Sequence, residues 1–266
     1  MKKLTKLFKS KPTVPVIRLS GVIGGGGRLS GQGLSDAALA QTIEKAFRKK
    51  PKAVAIVINS PGGSPTQSAL IAARIRRLAD EKDIKVYAFC EDVAASGGYW
   101  LATAGDEIYV DANSIVGSIG VISASFGFHE IIKRYGIERR VYTAGEEKAM
   151  LDSFQKEDPK DVAKLKKLQQ VIHQNFKDQV TSRRGDKLVD ENLFNGDIWV
   201  GPEAVEKGLV DGVAHVVPKM KEIFGDDVRL PLLTPKKSMF SRFGGVSAAN
   251  VISDAEDKLH WSRFGL

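Results

Sequence analysis

Ile84-Lys85-Val86-Tyr87-Ala88-Phe89-Cys90-Glu91-Asp92-Val93-Ala94-Ala95-Ser96-Gly97-Gly98-Tyr99 reads as a buried strand that hands over to a helix. Residues 86–90 form an apolar run of strand length. Residues 94–104 are small and compatible with a helix, so Ser96 falls at the handover. The first N–H groups of a helix have no partners inside it, and Gly97 and Gly98 leave no side chain over the serine hydroxyl. A serine so placed has two readings. It can cap its helix, as serines before helices commonly do, or it can be a nucleophile with an oxyanion donor beside it. A second turn bears on the choice: the apolar strand 54–58 ends in Asn59-Ser60-Pro61-Gly62-Gly63-Ser64 before another periodic helix. Two glycine-rich strand-to-helix turns in tandem can set a backbone N–H of one opposite the hydroxyl of the other.

Outward from these turns, strands and helices alternate. Residues 14–19 read as a strand, followed by the tetraglycine 24–27, which lacks the Gly-Lys-Ser/Thr of a phosphate loop and reads as a flexible loop. Ser35 caps a helix to about residue 50, with Leu39, Ile43 and Phe47 on one face. A helix over 67–79 carries Leu70, Ile71, Ile75 and Leu78 towards a sheet. Further on come a strand at 107–110, a turn at 111–114, and an apolar strand at 116–122 whose glycines invite close approach of a backbone or ligand. A short helix at 128–135 stops at Gly136, and a strand follows at 139–142. A long helix over 161–184 stops at Gly185, and residues 196–211 make a further strand-helix-strand unit ending in the strand Leu209-Val210-Asp211. Past Pro218 the pattern fades. The expected fold is α/β, built of βαβ units around a mainly parallel sheet covered by helices. Its parts are a basic tail over 1–13, one domain over 14–230 and a loosely attached tail over 231–266.

The composition is that of a globular protein, 42% apolar and 27% charged over 266 residues. A net charge of +8 spread over 40 basic and 32 acidic residues marks a mild preference for anionic surfaces and no nucleic-acid arm. The basic clusters at 45–52, 74–77 and 156–167 read as solvated helix faces. Cys90, the single cysteine, sits in an apolar strand and reads as core. No apolar run reaches the length of about 18 residues that a membrane-spanning helix needs. Residues 1–12 have the charges of a signal n-region without an apolar h-region, so the chain is expected to be cytoplasmic or peripheral to the inner membrane. Leu4, Leu7 and Phe8 among lysines offer weak membrane contact. His129, His173, His215 and His260 are scattered. Asp92 and Asp106 flank the Ser96 segment with no histidine beside them, which leaves a Ser-His-Asp triad without support. No metal-ligand spacing occurs, and neither metal nor cofactor is expected.

Four motifs, in order, carry a resemblance: Asn59-Ser60-Pro61-Gly62-Gly63-Ser64, Ala94-Ala95-Ser96-Gly97-Gly98-Tyr99, Val116-Gly117-Ser118-Ile119-Gly120-Val121, and Gly201-Pro202-Glu203-Ala204 with Gly208-Leu209-Val210-Asp211. Over residues 14–217 the chain resembles the signal peptide peptidase A family of serine proteases, peptidase family S49. The resemblance implies a Clp protease/crotonase-like fold, a Ser-Lys dyad and dome-like homo-oligomers acting on peptides, among them signal-peptide or membrane-derived remnants. Carried over by position, it implies Ser96 as nucleophile and Lys148, in Gly145-Glu146-Glu147-Lys148, as base. Ser118 would orient the lysine, and the N–H groups of Gly63 and Gly97 would form the oxyanion hole. A lysine accepts a serine proton only when neutral, which requires burial or a neighbouring cation, and Glu146 and Glu147 act against it. Packing of subunits against the lysine is expected to remove that obstacle. The family's usual membrane anchor has no counterpart in these residues. Two other functions fit the same architecture: a non-catalytic peptide-binding scaffold, and an acyl-CoA lyase or isomerase, which needs a carboxylate where Ser96 stands.

Overall fold

The computed structural model describes residues 11–24, 33–189, 191–234, 258 and 260–266, with the side chains of residues 146 and 191 excepted. Residues 25–27 of the tetraglycine, and most of both tails, lie outside the described residues. The chain divides into two compact units, one of residues up to Ile119 together with Lys177 onward, the other Gly120–Phe176.

The first unit is built on one mixed, mainly parallel sheet. Its elements in order are β1 (Val16–Ser20), α1 (Asp36–Arg48), β2 (Val54–Ser60), α2 (Pro65–Lys82), β3 (Val86–Ala95), α3 (Gly97–Ala102), β4 (Glu107–Val110) and β5 (Ile115–Gly117). The strands run β6-β5-β3-β2-β1-β8, where β6 (Ile198–Val200) and β8 (Leu232–Leu233) come late in the chain; β4 also pairs β3, and β7 (Gly212–Val213) pairs β4. All described pairings are parallel except β5 with β6. β3 is long because its two halves serve two neighbours: Tyr87 to Cys90 pair with β4, and Val93 to Ala95 pair with β5. Pairing therefore keeps Ala94 and Ala95 extended, and the helix that their small side chains suggest begins only at Gly97.

α1 starts where Ser35 accepts a hydrogen bond from the Ala38 N–H, and buries Leu39, Ile43 and Phe47. α2 buries Ile71, Ile75 and Leu78, whereas Leu70 stays exposed. The cluster at 74–77 is not a solvated face throughout. Arg74 makes two bonds of 2.6 Å to Asp36, fastening α2 to α1, and Arg76 pairs with Asp80 and Asp106. Of the three arginines Arg77 is the most exposed, paired on the surface with Glu81.

The second unit contains α4 (His129–Arg134) and the first part of α5 (Pro159–Arg184), a helix of 26 residues that continues into the first unit. The strand expected at 139–142 does not form. A strand needs a ladder partner, and among the described residues no strand lies in this unit. Val141 is exposed, and Tyr142 is 90% exposed. Likewise β5 stops at Gly117, because Ser118 turns to φ +51° and gives its N–H to the Asp197 carbonyl at 2.6 Å.

The first unit resumes with β6 (Ile198–Val200), α6 (Gly201–Glu206), β7 (Gly212–Val213), α7 (Val216–Phe224) and β8 (Leu232–Leu233). The strand expected at Leu209-Val210-Asp211 is a turn with Leu209 and Val210 buried, and pairing starts at Gly212. Past the point where the pattern fades, α7 buries Met220 against Val14, Val57, Tyr87, Phe89 and Tyr109. Pro218 lies in its first turn, where no intrahelical N–H is lost. β8 pairs with β1, so the sheet extends past residue 230.

Candidate active site

β2 and β3 are parallel neighbours, so their C-terminal turns lie side by side at one end of the sheet. The register shifts between Ile58 and Ser60, which brings Ser60 opposite Ala94. In the first turn the Ser60 hydroxyl accepts from the Gly62 N–H at 3.2 Å. The Gly62 carbonyl accepts from the Ile23 N–H at 2.8 Å, and the Ser64 N–H donates to the Ile23 carbonyl at 2.7 Å. This arrangement needs φ of +106° at Gly62 and +137° at Gly63, which side-chain-bearing residues rarely adopt. A Cβ on Gly62 would stand 2.8 Å from the Ser96 Cβ and 3.0 Å from the Gly97 nitrogen. The two turns are thus in contact, as their tandem glycines suggest, with Gly62 rather than Gly63 the residue that faces Ser96.

Ser96 does not cap its helix. Its side chain accepts no hydrogen bond from α3, and its backbone is held at φ +52°, ψ −121°, a sparsely populated conformation for a residue with a Cβ. The Ser96 N–H donates to the Gly117 carbonyl at 2.8 Å and its carbonyl accepts from the Trp100 N–H at 3.0 Å, so the turn is fixed on both sides while its hydroxyl has no bond among the described residues. Ser96 is partly exposed between buried neighbours Ala95 and Gly97. The N–H groups of Gly63 and Gly97 also have no partner among the described residues.

Ser118 stands next to this turn. Ala95 is in register with Gly117 on β5, so Ser96 and Ser118 each follow directly on the last residue of two paired strands. Ser118 is 9% exposed. Trp199 lies over Gly117, where a Cβ would meet its ring at 2.6 Å, and so backs this side of the site.

Lys148 belongs to the other unit. It sits in a 3-10 turn, Glu146–Ala149, is exposed, and its amine has no ion pair among the described residues. Glu147, read in the sequence as holding the lysine's charge, is bonded to Lys164 at 2.8 Å. The lysine segment is held from behind: Leu151, at φ +58°, gives its N–H to Asp161, and Asp152 takes two bonds from Arg139.

Other nucleophile systems have no geometry among the described residues. Cys90 is buried in β3, and burial pushes its thiol up to about 12, far from the thiolate that reacts. His215 is bonded to Asp111 at 2.7 Å, and no hydrogen bond joins a histidine to Ser96 among the described residues.

The sequence profile of peptidase family S49 matches residues 79–222, more than half of the chain, a range that includes Ser96, Ser118 and Lys148 but not Gly63. A Brucella melitensis protein named Na(+)/H(+) antiporter NhaA is 48% identical over 99% of this chain and 38% of its own length. The probable protease SohB of Haemophilus influenzae is 31% identical over 77% of this chain and 58% of its own. Serine protease SPPA, chloroplastic, of Arabidopsis thaliana is 34% identical over 62% of this chain and 24% of its own. The chain thus spans less than two thirds of the length of each of these relatives. With its profile match lying across the strained Ser96 turn and the sheet that carries it, the chain belongs to peptidase family S49.

Proposed function

We propose that this chain is a serine endopeptidase using a Ser-Lys dyad on extended peptides, including remnants of signal or membrane-derived peptides. Ser96 Oγ attacks the scissile carbonyl carbon while its proton passes to the neutral Lys148 amine. The N–H groups of Gly63 and Gly97 stabilise the oxyanion, and Ser118 orients the amine. The ammonium then protonates the departing amine as the acyl-enzyme forms. Water, deprotonated by the same lysine, releases the acid product and restores Ser96. The observation that carries this reading is the Ser96 turn: strained, held on both sides, hydroxyl unengaged and Gly62 against it.

In a single chain Lys148 is exposed to water, whereas a lysine that serves as a base has to be shielded from it. Our reading therefore includes self-association as a ring or dome in which a neighbouring copy dehydrates the lysine. Residues 120–127 and 138–144 support this: they make no backbone hydrogen bonds among the described residues. They also present Ile122, Phe126 and Tyr142 to solvent, Phe126 at 79% exposure. Unpaired backbone beside exposed apolar side chains invites another strand. The exposed lysine also leaves a second reading, a peptide-binding scaffold without catalysis. Ion exchange, named for the Brucella relative, is not carried over; no described helix is long and apolar enough to cross a membrane. A cytoplasmic or membrane-peripheral location is part of the proposal.

A fluorophosphonate probe, applied across a dilution series, tests it. Labelling is expected at Ser96, absent in Ser96→Ala, lost in Lys148→Met and falling as the assembly is diluted. Undiminished labelling and peptide cleavage in Lys148→Met refutes the dyad, and absence of labelling at every concentration favours the scaffold.

A further inference from the structure

α3, the helix that begins at Ser96, has six residues, too few to be stable by itself. Its far end is held by two arginines from different helices. Arg183 of α5 donates from Nε to the Thr103 carbonyl at 3.0 Å and from Nη2 to the Gly105 carbonyl at 3.0 Å. Arg76 of α2 donates from Nη1 to the Ala104 carbonyl at 3.1 Å. Three successive carbonyls after the helix are thereby taken. Asp106 Oδ1 lies between the guanidinium groups, 2.9 Å from Arg76 and 3.1 Å from Arg183, and Asp106 Oδ2 accepts from the Val86 N–H at 2.8 Å. Gln179, one turn before Arg183, donates to the Thr103 hydroxyl at 3.0 Å, which donates to the Trp100 carbonyl at 2.6 Å. Residues 97–105 are all buried.

Neither arginine hydrogen-bonds Ser96. From this arrangement we infer that Arg183, with Arg76, is a positioning residue for Ser96, an inference that rests on the reading of Ser96 as nucleophile. A strained backbone persists only where its surroundings over-determine it. Two determinants of the Ser96 turn are local, the Gly117 carbonyl and the contact with Gly62; the third is the clamp, which stops α3 from sliding or unwinding to relieve the strain. A guanidinium fork fixes two carbonyls in direction, which an ammonium group cannot do. Positive charge at the carbonyl end of the helix is also the sign its dipole favours.

The test is the inactivation kinetics of the full chain with a fluorophosphonate, separating the maximal rate of labelling from the affinity for the probe, beside a thermal unfolding scan. Arg183→Ala is expected to label about ten- to a hundredfold more slowly at saturating probe with unchanged affinity. Added guanidinium ion, at a concentration that does not unfold the protein, should recover part of the rate. Arg183→Lys should fall between wild type and Arg183→Ala, and decides the matter if the alanine variant does not fold. Folded variants that label at the wild-type rate overturn the clamp alone, as does a loss confined to probe affinity. A wild-type chain that does not label at Ser96 overturns both the clamp and the proposed function.

Discussion

Replacing Gly62 by alanine separates the cost of a strained turn from the cost of disturbing the site. Gly62 and Gly21 have nearly the same φ, +106° and +109°. A Cβ therefore brings comparable backbone strain at either position, about 1–3 kcal/mol. Their surroundings differ: a Cβ at Gly21 meets nothing within 4 Å, whereas at Gly62 it lands 2.8 Å from the Ser96 Cβ, 3.0 Å from the Ala95 carbonyl oxygen and 3.0 Å from the Gly97 nitrogen. Carbon atoms in contact prefer about 3.5–4.0 Å, so the two turns must part by something approaching an ångström, and a displacement of that size at a reacting centre costs about a hundredfold in rate. Gly21→Ala should lose stability in a denaturant titration and label with fluorophosphonate at the wild-type rate. Gly62→Ala should lose at least as much stability and label about a hundredfold more slowly. Equal labelling rates in the two folded variants would falsify the claim that contact between the turns builds the site.

Two further predictions concern stability. Arg184→Met removes the cation that holds Asp211 Oδ2 at 2.6 Å and the Gly208 carbonyl at 2.7 and 3.1 Å; with the Arg184 side chain 2% exposed, the loss should be about 3–5 kcal/mol. Arg77→Met, removing a surface pair with Glu81, should cost under about 1 kcal/mol, and urea titrations giving equal losses would contradict this account. Acid should also weaken the first unit. The Arg74 guanidinium holds the Asp36 carboxyl below its ordinary range. Burial pushes Asp106 and Asp211 up, but the Val86 N–H with Arg76 and Arg183 in one case, and Arg184, Lys187 and the Ile108 N–H in the other, more than offset it. Carboxyls depressed in the folded state contribute stability above their unfolded value of about 3.9, and lose it as pH falls through the folded one. The unfolding midpoint should therefore be level near neutrality and drop below about pH 4, less steeply in Asp106→Asn; a midpoint flat to about pH 2 would exclude these pairs as the cause.

Much of this protein was legible from local pattern. The apolar runs of β2 and β3, the periodic faces of α1 and α2, the Ser35 cap and the tandem glycine turns depend on residues close in sequence, where alternation, helical spacing and steric freedom act directly. The four motifs likewise point to the family that the profile match shows. Other features depended on partners distant in the chain. Residues 139–142 have the composition of a strand, but a strand exists only where another backbone completes its hydrogen bonds. Ala94 and Ala95 suit a helix, but β5 keeps them extended. Whether Ser96 caps α3 or stands free turned on its φ, imposed by Gly117 on one side and Gly62 on the other. Arg76 reads as part of a solvated basic cluster, and nothing close in sequence marks Arg183, until the fold brings three carbonyls and Asp106 to them. Sequence periodicity thus determined which segments are apolar and where the chain turns, because those properties belong to neighbours. Tertiary structure decided which hydrogen-bonding groups are satisfied and which are left available for chemistry, because each bond needs a second group supplied from elsewhere in the chain.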